Sequence, residues 1–371
     1  MVACTPPSQR QVRRLVAPLI ATAAATPGAD RYRKCFTATA HLWVLVFHVL
    51  WGSASLRQTH ARLTASRRWW HRWGMRDPVS LSQLARSSTS RAPACVETFL
   101  AETLAVARRH PRGDPLWHKL HRVVALDSTF VRLSACLSPW SVHGGSTPGV
   151  RLQSALELAE QIPQAFRLTR ADCNDHTALW ELDLAPWRGW TMLCDLGYYG
   201  HRQFQRLREA GVHLITRLNA QATYVILAQH RVPHGPTPDG DILLADYTVT
   251  LGSATNRRGA VLPGMRVVIS RNPHGDVQRF LTDRHDLLAT EVVQLYRKRW
   301  QIELFFRWLK HQLGVIRPLG QSRAAVWLTI LMTIIVVLLL GCLEADRPAS
   351  VSRVSWAQRM ATVLLLAIPD G

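Results

Sequence analysis

The stretch EVVQLYRKRWQIELFFRWLKHQLG, residues 291–314, carries four polar residues whose spacing suits one side of a helix. In order they are Tyr296, Arg299, Glu303 and Lys310. At about 100° per residue their directions fall within about 60° of one another, while most of the apolar residues point elsewhere. A solvated helix face is the simplest interpretation, but it does not explain one carboxylate flanked by a phenol and two cations. That combination favours a metal ligand set among groups that hold phosphates.

Two apolar segments upstream each contain an aspartate. The segment HRVVALDSTFVRL, 121–133, surrounds Asp127 with strand-forming residues, and a carboxylate is costly to bury there unless it binds a metal or finds partners. The segment WTMLCDLGY, 190–198, ends a short strand at Asp195 before a glycine turn, which is where open α/β sheets place ligands. The alternatives are an Asx-turn opened by Asp127 and a helix N-cap at Asp195. Nearby, Asp172 and Asp175 are predicted to be turn and cap residues rather than ligands.

The spacing Tyr296-x2-Arg299-x3-Glu303-x6-Lys310 resembles the YREK signature of transposases of the insertion-sequence 4 family. Those are bacterial DDE enzymes with a ribonuclease-H-like core. The resemblance covers roughly residues 32–343, and the blocks around the three acidic residues are its specific part.

The resemblance implies roles for individual residues. Asp127, Asp195 and Glu303 would be the catalytic residues and the ligands of two Mg²⁺ ions, for which Mn²⁺ would substitute. Two such ions lie about 4 Å apart and serve the attacking and the leaving oxygen of an in-line displacement. Tyr296, Arg299 and Lys310 would contact DNA phosphates.

The expected fold class is α/β, with a ribonuclease-H-like mixed sheet, a helical amino-terminal domain and a β-rich insertion. The expected boundaries are 1–116 for the helical domain, 117–218 and 288–345 for the two parts of the core, 219–287 for the insertion and 346–371 for a helical tail. The insertion is expected because 303 − 195 = 108 positions separate Asp195 from Glu303, too many for one strand and one helix.

Charge and cysteine usage limit the partners and the compartment. Lys plus Arg is 45 and Asp plus Glu is 25, a formal net charge of +20, which points to nucleic acid or an anionic membrane surface. A non-catalytic DNA-binding protein would also fit this charge. The seven cysteines include no CxxC pair, which argues against a zinc site or a disulfide framework and fits a reducing cytosol.

The segment SRRWWHRWGMR, 66–76, interleaves arginines with tryptophans. Arg67, Arg68 and Arg72 are therefore candidate DNA contacts, beside aromatic rings suited to stacking. An equally good interpretation is a helix that buries its tryptophans while its arginines stay in water.

The segment AAVWLTILMTIIVVLLLGCL, 324–343, has twenty residues without a charge and is long enough to span a membrane. It begins 324 − 310 = 14 residues after Lys310. Because a membrane there would crowd a DNA site, we expect a buried core helix instead.

The sequence thus favours a DNA transposase that cleaves the ends of a mobile element and transfers the strands. By resemblance, its partners would be double-stranded DNA, as terminal inverted repeats and target DNA, and a second copy of the chain in the DNA complex. It would act in the bacterial cytosol, associated with the nucleoid, and not with a membrane. The alternatives are a metal-dependent nuclease without strand transfer, an inactive DNA-binding remnant, and a membrane protein built around 324–343.

Overall fold

A computed structural model describes residues 9–31, 33–65, 70–71, 73–91, 93–109, 122–135, 138–142, 147–253, 260–315, 319–320 and 322–344. The chain divides into two compact units. The first comprises the described residues within 1–112, 136–140 and 306–371, and the second those within 113–135 and 141–305. Arg67, Arg68, Arg72 and the predicted tail 346–371 lie outside the described residues.

The first unit is helical. Its helices are α1 (Gln9–Ala24), α2 (Ala38–Leu50), α3 (Leu56–Thr64), α4 (Leu81–Ser90), α5 (Pro93–Arg108) and α10 (Arg323–Glu344). Thr37, Ser55 and Ser80 begin α2, α3 and α4, and each side chain accepts a hydrogen bond from a backbone N–H in the first turn. This is the usual way in which helix starts satisfy an otherwise unpaired donor.

Helix α10 contains the uncharged segment that the sequence singled out. Among the described helices it alone is long and apolar enough to cross a membrane, and 89% of its apolar window is buried inside the protein. Met332, Ile335 and Leu339 belong to the same buried cluster as Leu42 and Phe99. This burial agrees with the prediction of a core helix.

In the described part of the second unit, nine strands form one sheet in the order β3-β2-β1-β4-β5-β9-β8-β7-β6. They are β1 (Val123–Arg132), β2 (Gly149–Glu157), β3 (Ile162–Arg170), β4 (Thr191–Cys194), β5 (His213–Arg217), β6 (Tyr224–Gln229), β7 (Ile242–Leu251), β8 (Leu262–Arg271) and β9 (Val277–Thr282). Strands β1, β2 and β3 pair antiparallel, and β1, β4 and β5 pair parallel. The mixed α/β fold and the ribonuclease-H-like order of the first five strands are as expected.

The strands of the expected insertion extend the same sheet. Strand β9 pairs antiparallel with β5, and β8, β7 and β6 follow as a meander out to the edge. The domain boundaries set from the sequence stay a prediction.

Helices α6 (Asp175–Trp180) and α7 (His201–Glu209) pack against the sheet. Leu179 of α6 and Phe204 of α7 share a buried cluster with Leu126 and Met192 of the strands. Two further helices follow the sheet, α8 (Ala289–Lys298) and α9 (Trp300–Val315).

The single helix expected over 291–314 is divided at Arg299. The Arg299 N–H donates to the Tyr296 carbonyl at 3.0 Å, and the Ile302 N–H donates to the Arg299 carbonyl at 3.1 Å. Both bonds reach back three residues, which is the tighter geometry of a 3₁₀ turn rather than of an α-helix. Arg299 therefore lies at a junction between α8 and α9.

Candidate active site

Strand pairing brings Asp127 and Asp195 together. The parallel strands β1 and β4 pair as far as Ala125 and Leu193, and Asp127 and Asp195 each lie two residues further along the chain. The two carboxylates are close enough to interact electrostatically. Strand β4 ends at Cys194, and Asp195 begins a short 3₁₀ turn by accepting a hydrogen bond from the Gly197 N–H at 2.7 Å. The predicted N-cap role of Asp195 and its place at a strand end are both observed, and one does not exclude the other.

Asp127 lies where β1 extends beyond β4. One oxygen of its carboxylate, Oδ1, accepts a hydrogen bond from the Ser128 N–H at 2.7 Å. The pKa of Asp127 is raised to about 6, mainly by burial, with the Ser128 hydrogen bond and the Arg299 charge opposing the rise and nearby Asp195 and Asp175 adding to it. The site thus concentrates negative charge at a partly buried strand end.

Arg299 lies between Asp127 and Glu303. Its Nη2 is 2.5 Å from Oε1 of Glu303, one helical turn further along the chain, and its Nη1 is 4.0 Å from Oδ2 of Asp127. Burial lowers the pKa of Arg299, but the Glu303 hydrogen bond and electrostatic interactions with Tyr296, Glu303 and Asp127 raise it above its usual value overall. The guanidinium is therefore a fixed positive charge among the carboxylates.

Tyr296 is more buried than a polar helix face implies. Its side chain is 8% exposed, and its ring packs against Phe280 with centroids 5.1 Å apart. The Arg299 guanidinium lies 5.9 Å from the centre of the Tyr296 ring. Burial raises the pKa of Tyr296 to about 12, so its hydroxyl stays protonated at neutral pH and is a hydrogen-bond donor. Lys310 is exposed and belongs to the first unit.

A fourth carboxylate, Asp175, joins this cluster. Its Oδ1 accepts a hydrogen bond from Ser128 Oγ at 2.6 Å, and the same hydroxyl accepts one from Arg151 Nη1 at 3.2 Å. The sequence prediction of a cap residue was wrong for Asp175, because Asn174 caps α6 and leaves the next carboxylate directed at Ser128. Asp172, by contrast, is exposed and pairs with its neighbour Arg170.

The carboxylates have the right chemistry for Mg²⁺ but not the right spacing. Carboxylate oxygens are the ligands that Mg²⁺ prefers. Among the residues that the structure describes, however, no three Asp, Glu, His or Cys side chains lie close enough together to hold a metal ion. The Arg299 guanidinium lies between Asp127 and Glu303, where a shared ion would have to bind. In this arrangement the residues do not fit a bound metal.

Comparison with protein families places the chain. Residues 118–339 match the family model described as a transposase DDE domain, and this range includes Asp127, Asp195 and Glu303. The chain belongs to the DDE transposase family. The same match covers the positions of Tyr296, Arg299 and Lys310.

Two curated relatives of this DDE transposase family member are transposases by name. A putative transposase of Sinorhizobium fredii, y4zB, is 29% identical over 215 residues, which are 58% of this chain and 59% of that protein. A probable transposase for insertion sequence element IS5377 of Geobacillus stearothermophilus is 25% identical over 268 residues, 71% of this chain and 68% of that protein. The chain thus spans about three fifths of the first relative and two thirds of the second.

Among solved structures, a similar chain occurs in the cryo-EM structure of the piggyBac transposase synaptic complex with hairpin DNA. It is 9% identical to this DDE transposase, with a TM-score of 0.46 and coverage of 96% of this chain and 78% of that one.

Proposed function

We propose that this protein is a DNA transposase that cleaves the ends of a mobile element and transfers the strands to target DNA in a metal-dependent reaction. The observation that carries the proposal is the cluster of Asp127, Asp195 and Glu303. Their positions are 195 − 127 = 68 and 303 − 195 = 108 apart in the sequence. Strand register and the Arg299 ion pair nevertheless bring them into one part of the second unit.

The position of each carboxylate in the fold supports the proposal. Asp127 lies in β1 just beyond the part that pairs with β4, and Asp195 directly follows the end of β4, near the edge where α/β sheets carry their ligands. Glu303 lies in the first turn of α9, where the helix dipole favours a negative charge. If the three carboxylates had only a structural role, there would be no reason to place them close together, because like charges repel one another.

The finer parts of the proposal rest on the resemblance to the insertion-sequence 4 family. They are Mg²⁺ as the metal, with Mn²⁺ as a substitute, and phosphate contacts from Tyr296, Arg299 and Lys310. They also include terminal inverted repeats and target DNA as substrates, a homodimer in the DNA complex, and action in the bacterial cytosol. The net charge of +20 supports a nucleic-acid partner.

A second candidate is an inactive DNA-binding remnant, and the position of Arg299 favours it to a limited extent. A guanidinium that permanently occupied the carboxylate site would leave a protein that binds DNA without cutting it. A metal-dependent nuclease without strand transfer is the third candidate. The assay below separates the three.

The experiment measures cleavage and strand transfer on DNA that carries the element's ends, beside a gel shift with the same protein. We expect Asp127→Asn, Asp195→Asn and Glu303→Gln each to abolish cleavage in Mg²⁺ or Mn²⁺, because each removes a charged ligand. End binding should survive, since it depends on cations elsewhere. Asp172→Asn is the matched control, because it removes an exposed aspartate outside the cluster and should leave cleavage unchanged.

Each alternative has its own signature in this assay. A wild-type protein that binds the ends and never cuts them would be the remnant. Cutting without any joined product would be the nuclease. Full cutting by one of the three variants would exclude that residue from the catalytic set, and Asp175 would replace it as the candidate.

A further inference from the structure

Helix α4 and the segment 33–36, which precedes α2, line a polar pocket in the first unit. The pocket has a volume of about 530 Å³, within the usual range of ligand sites. Gln83, Arg86, Ser87 and Ser90 line it from α4, and Arg33 and Lys34 line it from the segment. The four α4 residues have the spacing i, i+3, i+4, i+7, which places them on one face of the helix. The polar face of α4 therefore forms one wall of the pocket.

The cations of this pocket are incompletely paired. Arg33 Nη2 donates a hydrogen bond to Ser90 Oγ at 2.9 Å, but Nη1 of the same guanidinium is buried and has no hydrogen-bond partner among the described residues. Within the described part of the chain, the side chains of Lys34 and Arg86 have no ion-pair or hydrogen-bond partner, and no acidic residue lines the pocket. Because an unpaired buried donor is costly, the pocket favours a ligand that supplies acceptor oxygens and negative charge.

The wall formed by the segment 33–36 is fixed by the buried side chain of Arg91, which is 3% exposed. Nη2 of Arg91 donates to the Phe36 carbonyl at 2.8 Å. Its Nη1 donates to the Ala29 carbonyl at 2.9 Å and to Asp30 Oδ1 at 2.8 Å. These bonds hold the chain on both sides of the arginine that lines the pocket. The pocket is therefore preformed, and binding would not require ordering it first.

Arg91 also adds positive charge close to the pocket. Burial lowers the pKa of Arg91, the Asp30 hydrogen bond opposes this, and the nearby Arg33 charge lowers the pKa further. The two guanidinium groups thus repel each other. Burial and the charges of Arg91 and Arg33 lower the pKa of His41 well below its usual value, so this histidine is neutral at pH 7. An anion bound at Arg33 would reduce the repulsion between the two arginines.

We propose that this pocket binds a phosphate group through Arg33 and Arg86. A guanidinium matches two phosphate oxygens at once, and the serine and glutamine side chains of α4 supply further donors. The phosphate belongs either to a nucleic-acid strand or to a free phosphate compound, since both present the same oxygens. The site lies in the helical unit and does not use the carboxylate cluster, so it goes beyond the proposed cleavage reaction and does not depend on it.

An arginine that only stabilised the fold would behave differently from a ligand-binding one. Arg33 is bonded to Ser90, so a change at Arg33 also disturbs a contact between the segment and α4. Arg86 is exposed and has no such contact among the described residues. Loss of ligand binding in an Arg86→Gln variant that keeps its stability therefore reports on the ligand and not on the fold.

Cys35 provides a probe of occupancy, because its thiol is free and exposed and it lines the same pocket. The experiment measures the rate at which iodoacetamide alkylates Cys35 in the full chain, by mass spectrometry of the peptide that contains it. Each protein is measured in sodium chloride, in inorganic phosphate at the same ionic strength, and with a short DNA duplex in sodium chloride. The proteins are wild type, Arg33→Gln and Arg86→Gln, with Arg57→Gln as the matched control, which removes an exposed arginine of α3 outside the pocket.

We expect phosphate to slow alkylation of Cys35 in wild type and in Arg57→Gln by about tenfold when it reaches about ten times its dissociation constant, as mass action requires for a site that covers the thiol. Arg33→Gln and Arg86→Gln should each need about tenfold more phosphate for the same protection, because each loses a charge-assisted hydrogen bond. Arginine-dependent slowing by the duplex identifies a nucleic-acid strand as the source of the phosphate. Slowing by inorganic phosphate alone identifies a free phosphate compound.

Two results would overturn the inference. The first is a Cys35 alkylation rate that is the same in chloride, in phosphate and with the duplex. The second is protection that folded Arg86→Gln retains in full, because the phosphate would then bind elsewhere. Thermal melts by circular dichroism establish folding, and if Arg33→Gln is unfolded, the Arg86→Gln result decides. None of these outcomes depends on DNA cleavage, so the proposed transposase reaction is tested separately by its own assay.

Discussion

At the scale of single residues, the position of Gly197 shows how little free space the carboxylates have. A Cβ added there would lie 3.0 Å from Asp195 Oδ1 and 3.2 Å from Asp175 Oδ2. The backbone of Gly197 is not in the left-handed region, so alanine is compatible with its conformation. The cost of a side chain is therefore a displacement of the two carboxylates rather than backbone strain.

We expect Gly197→Ala to reduce cleavage of the element ends by roughly tenfold to a hundredfold, because misplaced reacting groups lose much of their catalytic advantage. The free energy of unfolding should change by less than about 1 kcal/mol, as is usual for an exposed position. Cleavage rates and urea denaturation measure the two effects. Leu196→Ala is the control, since that side chain is 45% exposed. Unchanged cleavage by Gly197→Ala would show that the carboxylate positions are not critical.

At the scale of elements, strands β7 and β8 position the helix that leads to Arg299. Arg266 of β8 pairs with Asp246 of β7 through Nε at 2.9 Å and Nη2 at 2.7 Å. Its Nη1 donates to the carbonyls of Arg284 at 3.1 Å and Leu287 at 2.6 Å, in the turn that precedes α8. One buried guanidinium thus links the meander to the start of this helix.

We expect Arg266→Ala to lower the free energy of unfolding by about 3–5 kcal/mol, because it leaves the buried Asp246 charge without its partner. The side chains of Arg266 and Asp246 are only 7% and 4% exposed. Arg170→Ala, which breaks an exposed pair with Asp172, is the matched control and should cost less than about 1 kcal/mol. Urea denaturation of the full chain measures both. If the free energy of unfolding fell by similar amounts in the two variants, Arg266 would not be stabilising the turn that precedes α8.

At the scale of the whole molecule, the excess of positive charge determines how DNA binding depends on salt. The net charge of +20 is spread along the chain rather than confined to the candidate site. Each phosphate contact releases condensed counterions from DNA, so binding energy of this kind decreases as salt is added.

We expect the affinity for duplex DNA to fall by about 10³-fold or more between about 50 and 200 mM salt, the range found for proteins with several phosphate contacts. Fluorescence anisotropy with a labelled duplex measures the slope. Thermal melts over the same salt range are the control, because they show whether the protein stays folded. An affinity that barely changes with salt would contradict a binding surface built on phosphate contacts.

The sequence predicted what depends on neighbouring residues and missed what depends on distant ones. The strands around Asp127 and Asp195 were predicted because apolar, strand-forming residues surround each aspartate, and the structure confirms both strands. The contact of Asp175 with Ser128 joins residues 47 positions apart, and no local pattern encodes it. The break at Arg299 was missed because the apolar spacing continues through it, although its backbone bonds tighten to a 3₁₀ turn. The burial of Tyr296 was missed because its partner Phe280 comes from β9.

The pairing of β5 with β9 has a consequence for the order in which the chain folds. It joins residues 215–217 to 280–282, whereas β6, β7, β8 and β9 pair with their neighbours in sequence. Short loops close faster than long ones, so we expect the meander to form first and the pairing of β9 with β5 to follow. Until then the Phe280 and Arg266 contacts hold α8 to the meander and not to the strands that carry Asp127 and Asp195. The pairing of β1 with β4 joins residues 123–125 to 191–193 and is just as long-range, so we expect Asp127 and Asp195 to come together late as well, after the meander has formed.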